Sequence, residues 1–231
     1  MKEESALVLL SGGQDSSTCL LWALNNFKSV KCVNIFYGQR HYAEVNAASK
    51  ICQTLGLEYN QIVLDFLSSI GNSALFLDNK DMDISASHES NDSLPASFVP
   101  GRNIFFLTTA AAIAYKSKIH NIVTGVCQTD YSGYPDCRQE TIHALENTLE
   151  LAMDYDFTIH TPLMHLTKKE TVELAVQESP DRWKEIISLS MTCYEGQVPP
   201  CGMCPACKLR IKGFEEAGLE DPIFARLRGE I

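Results

Sequence analysis

The chain has 231 residues, 45% of them apolar and 21% charged, which is enough for one sizeable core or a core with an appendage. With 19 Lys and Arg against 29 Asp and Glu the net charge is −10, which argues against a long nucleic acid held by counterion release and for small-molecule ligands. No leader-type segment and no run of about 18 apolar residues is present, so a cytoplasmic protein without membrane association is expected, its nine cysteines serving as thiols or metal ligands rather than disulfides.

Residues 6–10 (ALVLL) form a continuous apolar run that stops at Ser11-Gly12-Gly13, the pattern of a buried parallel strand and a turn. A helix is predicted over 16–27, with Leu20, Leu21 and Leu24 on one face. A second strand covers 30–37 and closes at Gly38. An amphipathic helix follows over 41–56, with Gly56 as its stop, and a third strand over 59–66. Residues 67–98, rich in Ser, Asn and Asp, interrupt this rhythm. They read either as a surface insertion or as a lid over the site. The alternation resumes with a turn at 100–102, Asn103 as a helix N-cap, and an Ala-rich buried helix. A fourth strand over 121–126, a helix over 138–155 and a fifth strand over 157–163 follow. Thr167 and Glu170 then form a capping box at the head of another helix. The last part holds a cysteine-rich element and a short final helix.

Strands alternating with helices predict an α/β fold: an open parallel five-stranded sheet with helices on both faces, Rossmann-like, plus a small C-terminal metal-binding element. The expected division is an α/β domain over 1–182, carrying the 67–98 insertion, and the cysteine element over 183–231.

The first turn, Ser11-Gly12-Gly13-Gln14-Asp15-Ser16, is a phosphate-type loop without the lysine of a Walker A motif and without the three spaced glycines of a dinucleotide fingerprint. It leaves the carboxyl end of a strand. Its glycines let backbone N–H groups approach an anion, Ser11, Ser16 and Ser17 add hydroxyls, and the next helix points its positive end at the same spot. Asp15 would repel bare phosphate, so a metal cation is expected between them.

Cys193-x7-Cys201-x2-Cys204-x2-Cys207 places four thiols within fifteen residues, which suits a closed tetrahedral zinc site that builds structure. A four-cysteine iron–sulfur cluster is the rival. The fourth thiol lies upstream rather than downstream with a proline, which favours zinc.

A third stretch, TGVCQTDYSGYPDCRQE, follows the fourth strand and so emerges beside the glycine loop. Its Asp130 and Asp136 suit paired N–H donors of a guanine-like base, its Tyr131 and Tyr134 offer stacking faces, and Arg138 suits a carboxylate.

SGGQDS resembles the PP-loop of the ATP pyrophosphatases. With YGQRH (37–41), FVPGRN (98–103), DYSGYPDCR (130–138) and CGMCPACKLR in that order, nearly the whole chain, from residue 6 to about 218, closely resembles the QueC family of queuosine biosynthesis. The resemblance implies attack on the α-phosphate of Mg2+-bearing ATP with pyrophosphate leaving, so that 7-carboxy-7-deazaguanine becomes an acyl adenylate. Ammonia would then give the amide, and a second adenylation the nitrile. It implies ATP contacts from Leu10, Ser11, Gly12, Gly13, Gln14, Asp15, Ser16, Ser17, Thr18, Cys19 and Leu20, with Asp15 and Ser16 catalytic. It implies structural zinc on Cys193, Cys201, Cys204 and Cys207, and a homodimer. Arg40 and Arg102 join Asp130, Tyr131, Tyr134, Asp136 and Arg138 as the expected substrate pocket, from charge and position.

Glutamine-hydrolysing relatives of this loop use a nucleophilic cysteine in a second domain. Here Met1 is followed by Lys2, so free ammonium or a separate partner is expected to supply nitrogen. Two other readings compete. One is tRNA thiolation, which needs catalytic cysteines and a basic RNA-binding face. The other is a zinc-ribbon adaptor, for which KLRIK is the one basic run, more easily read as the solvated start of the last helix.

Overall fold

The structure is a computed structural model that describes residues 4–39, 42–70, 72–79, 81–84, 86–88, 91–129 and 133–231. Its first part runs β1 (Ser5–Leu9), α1 (Gln14–Asn26), β2 (Ser29–Phe36), α2 (Tyr42–Leu55), β3 (Glu58–Val63) and a single helical turn α3 (Leu67–Ile70). The short strands β4 (Ser87–His88) and β5 (Asn91–Pro95) precede α4 (Arg102–Lys116), β6 (Asn121–Val123), α5 (Gln139–Met153) and β7 (Thr158–His160). The chain ends with α6 (Lys168–Glu178), α7 (Trp183–Leu189), α8 (Pro205–Glu216) and α9 (Pro222–Leu227).

The main sheet has the order β3-β2-β1-β6-β7, and every pairing in it is parallel, as expected. Successive residues of β1 serve opposite faces. Ala6 and Val8 pack with Leu20 of α1, Ile51 of α2 and Val172 of α6, whereas Leu7 packs with Leu107 and Ala111 of α4 and Ile142 of α5. That alternation is why the strand reads as unbroken hydrophobicity: both of its faces are covered. Strand order reverses between β1 and β6, so the crevice beyond their carboxyl ends is where a ligand site belongs.

The C-terminal segment shares this core. Trp183, Ile186 and Ile187 of α7 and Phe214 of α8 belong to the same cluster as Leu20. Two helices, α7 and α9, were not anticipated from sequence. Among the described residues no helix is long and apolar enough to cross a membrane.

Three local expectations are corrected. Asn103 is not the cap of its helix. α4 starts at Arg102 behind a left-handed Gly101 (φ 68), and the Asn103 N–H donates to Asp136 Oδ2 at 2.9 Å, so the cap comes from another loop. β6 stops at Val123 rather than 126, because the chain then crosses the phosphate loop; a Cβ on Gly125 would lie 3.2 Å from Ser16 N. Arg210, in the run expected to be solvated, is 3% exposed and pairs bidentately with Asp221 at 2.6 and 2.8 Å.

Residues 67–98 are more than a surface insertion. Ala74, Leu75 and Phe76 are buried, the Ala74 N–H donates to Ala96 O, the Leu77 N–H donates to Gly38 O, and Phe76 meets Tyr37 edge-on at 6.2 Å. Ser97 and Tyr134 share a hydroxyl hydrogen bond of 2.7 Å. The described part of the segment is thereby pinned beside the crevice, which Leu75 lines.

Candidate active site

The phosphate loop is held in shape before any ligand arrives. Asn34 of β2 donates to Leu10 O (2.8 Å) and Ser11 O (3.2 Å). Gly13 N–H donates to Ser11 Oγ, Gly12 N–H donates to Ser16 Oγ, and the Ser16 and Ser17 hydroxyls both donate to Gly13 O. Gly12 has φ +99, and a Cβ there would lie 2.1 Å from Glu44 O and 2.7 Å from Ala48 N, so only glycine lets α2 sit on the loop. On its other side Met191 N–H donates to Gly12 O at 2.8 Å and Gln14 N–H to Thr192 Oγ1 at 3.3 Å.

Leu10, Ser11, Gly13, Gln14, Asp15 and Ser16 line the crevice, with Gly12 beneath them against α2. Residues 17–20 do not line it. Ser17 turns back to Gly13, Thr18 is buried, Cys19 Sγ reaches Thr124 O, and Leu20 lies in the core. They sit at the second turn of α1, past the end of the helix that can address an anion.

A lysine distant in sequence reaches the loop. Lys168 Nζ lies 2.7 Å from Asp15 Oδ2, with the lysine side chain only 13% exposed. The capping box forms as expected: Thr167 Oγ1 accepts from Glu170 N–H and Glu170 Oε2 accepts from Thr167 N–H. It makes Lys168 the first residue of α6. Gly213 of α8 abuts it, since a Cβ there would lie 2.9 Å from Lys168 Cβ. Asp15 Oδ1 is buried without a partner.

Across the crevice, Arg102 lies in an aromatic box. Its Cζ is 5.8 Å from the Tyr37 and Tyr134 ring centres and 5.9 Å from Phe106, and Nη1 donates to Tyr37 Oη at 3.4 Å. Arg102 Nε and Asp136 Oδ1 are buried without partners. Arg102 and Tyr134 line the crevice; Asp136 sits behind it as the cap of α4. Arg138 is exposed at the head of α5 and does not line it. Arg40, Asp130 and Tyr131 lie outside the described residues.

Glu44, Gln39 and Tyr194 also line the crevice and were not anticipated. Burial foremost pushes the Glu44 carboxyl up to about 7; a hydrogen bond from Ser11 and the Arg102 charge oppose that, and Asp15 adds to it.

The four cysteines converge. Sγ atoms of Cys193, Cys201, Cys204 and Cys207 all lie within 4.8 Å of one another, and Cys201 and Cys207 are 3.8 Å apart. Backbone N–H groups of Met203 and Cys204 donate to Cys201 Sγ, and that of Cys207 to Cys204 Sγ. Such donors favour thiolates, the form a metal requires.

Comparison with known proteins agrees with this geometry. The family described as "Queuosine biosynthesis protein QueC" matches residues 5–218. The chain is 50% identical to a 7-cyano-7-deazaguanine synthase of Chromobacterium violaceum, over 99% of this chain and 96% of that one. It is 44% identical to a protein of the same name from Bacillus subtilis, over 94% and 96%. Among solved structures, a 4-thiouridine synthetase–RNA complex with bound ATP superposes with a TM-score of 0.50 at 15% identity, over 98% of this chain and 53% of that one, a likeness of fold.

Proposed function

The chain belongs to the QueC family of queuosine biosynthesis, and from that membership we propose that it makes 7-cyano-7-deazaguanine from 7-carboxy-7-deazaguanine and ammonia at the expense of two ATP. The observation that carries this reading is the crevice itself. A preformed glycine loop with a paired cation stands on one side and a buried arginine in an aromatic box on the other.

ATP, bringing its own Mg2+, lies with its β- and γ-phosphates on Ser11–Ser16 and Lys168. Lys168 and the first turn of α1 stabilise the leaving pyrophosphate. Arg102 faces the carboxylate and keeps it beside the α-phosphate, while Tyr37, Phe106 and Tyr134 give the flat deazaguanine apolar surface. Asp15 is held by Lys168, and Ser16 ties the loop. The carboxylate oxygen attacks the α-phosphorus, pyrophosphate leaves, and ammonia displaces AMP. The amide oxygen then repeats the attack on a second ATP, and loss of AMP gives the nitrile.

Purified protein given the acid, ammonium and Mg-ATP is expected to form nitrile with two AMP and two pyrophosphate for each product, counted by mass spectrometry. ADP and phosphate instead would overturn the reading of the loop. No nitrile from folded protein would bring thiolation or another adenylating reaction forward.

We assign the four-cysteine site to one structural zinc. Four Zn–S bonds of roughly 2.3 Å place tetrahedral sulfurs roughly 3.8 Å apart, which matches the 3.8 Å between Cys201 and Cys207. A cluster of several irons would spread the sulfurs wider. All four positions are taken by protein, so the ion builds structure. Elemental analysis is expected to find one zinc per chain. Cys204→Ser should lower that content and the denaturation midpoint together, since thiolate–zinc binding is itself folding free energy. Full iron occupancy in anaerobically purified protein would overturn the assignment. A cytoplasmic homodimer that does not bind nucleic acid itself completes the proposal.

A further inference from the structure

Nitrogen arrives as ammonium with four N–H bonds and ends in a nitrile with none. One proton leaves to make the nucleophile. A second leaves as the adduct on the acyl adenylate collapses to amide and AMP. A third goes when the amide oxygen attacks ATP and pyrophosphate departs, giving the O-adenylated imidate. The last goes as the C–O bond breaks, AMP leaves and the nitrile closes. Each step needs an acceptor near nitrogen, and no residue placed so far supplies one.

We propose that Glu44 is the base that takes these protons, a role that rests on the synthase reading above. Its position is built rather than incidental. The first turn of α2 packs on the phosphate loop through Gly12, and a Cβ on Gly13 would lie 3.0 Å from Glu44 Oε1. The carboxylate accepts a hydrogen bond from Ser11 and lines the crevice.

Other groups facing it are poorer acceptors. Asp15 of α1 has Oδ2 engaged by Lys168. Arg102 of α4 is a cation. Burial pushes the phenols of Tyr37 and Tyr194 up, so they remain donors. Glu44 is different: burial raises its carboxyl to about 7, so the anion is present near neutrality and basic enough to take a proton from nitrogen.

The test is Glu44→Gln, which keeps an oxygen for the Ser11 hydrogen bond. Three readouts are taken on the intact protein: ATP–pyrophosphate exchange with the acid and no ammonium, kcat/KM for ammonium, and the pH profile of nitrile formation. Exchange is expected to stay within about threefold, while kcat/KM for ammonium falls about 10²–10⁴-fold. Once the growing fraction of free ammonia is divided out, the native enzyme is expected to show a titration near pH 7 that is absent from Glu44→Gln, and Glu44→Asp should recover part of it. Equal loss of exchange and nitrile would make Glu44 a brace for the loop and overturn the proposal, as would an unchanged kcat/KM for ammonium. Absence of exchange in the native enzyme would instead bring down the synthase reading, and the role of Glu44 with it.

Discussion

Lys168→Met is expected to cut ATP–pyrophosphate exchange by about 10²–10³-fold, the usual cost of removing one preorganised charge from a developing anion. The lysine is 153 residues from Asp15 in sequence and 2.7 Å from it in space. It stands at the first position of α6, where a cation opposes the helix dipole by about 0.3–1 kcal/mol. Its placement therefore does not serve α6. It serves Asp15, which lines the crevice where Lys168 itself does not, and on the reading proposed above it brings the charge that a Walker lysine would bring from within the loop. The substitution also leaves Asp15 partly buried without its partner, at about 1–3 kcal/mol of stability. A denaturation curve separates that loss from the loss of rate. Lys168→Arg should recover stability better than activity, because a planar fork does not replace a point charge. Exchange within a few-fold of native in Lys168→Met would remove the lysine from the chemistry.

The contrast between loop and lysine shows what the sequence made legible. SGGQDS could be read because every part of it is local: strand, glycines and helix start are contiguous, and the backbone physics follows from their order. The cysteine quartet was legible for the same reason. Lys168 was not, since TKKETVELAVQE reads equally well as a capped surface helix. The available signal was a lysine inside a capping box, directly after its N-cap, at a helix end that disfavours it. Glu44 lay hidden in an ordinary amphipathic helix; only its half-buried seat over Gly13 separates it from a solvated glutamate. Asp136 was read as a ligand for a base because a loop carboxylate has no sequence mark that distinguishes substrate contact from capping another helix. Residues 73–76 carried too little periodicity to reveal that they would be buried beside the crevice. The boundary of β6 shifted because the crossing of chain over loop at Gly125 is a tertiary contact.

Arg210→Met is expected to destabilise the protein by about 3–5 kcal/mol, because it strands Asp221, which is 7% exposed, as a buried uncompensated charge. More follows from what else the guanidinium holds. Nη1 donates to Ser190 O, Ser190 Oγ and Thr192 Oγ1, and Nη2 donates to Ile187 O. Thr192 in turn accepts from Gln14 N–H, Met191 N–H donates to Gly12 O, and Cys193 is the next residue. Arg210 thus ties the four-cysteine segment to the phosphate loop through one turn of chain. The pair Arg210→Met with Asp221→Leu removes both charges and should restore much of the stability, but it cannot restore the hydrogen bonds to residues 187–192. The double variant, which also loses the Asp221 cap of α9, is therefore expected to unfold above the single variant but below the native midpoint, and to show a raised KM for ATP in pyrophosphate exchange. A native KM in the double variant would mean that Asn34, α2 and the Ser16 and Ser17 hydroxyls hold the loop without Arg210, leaving it as a clasp for the C-terminal helices alone.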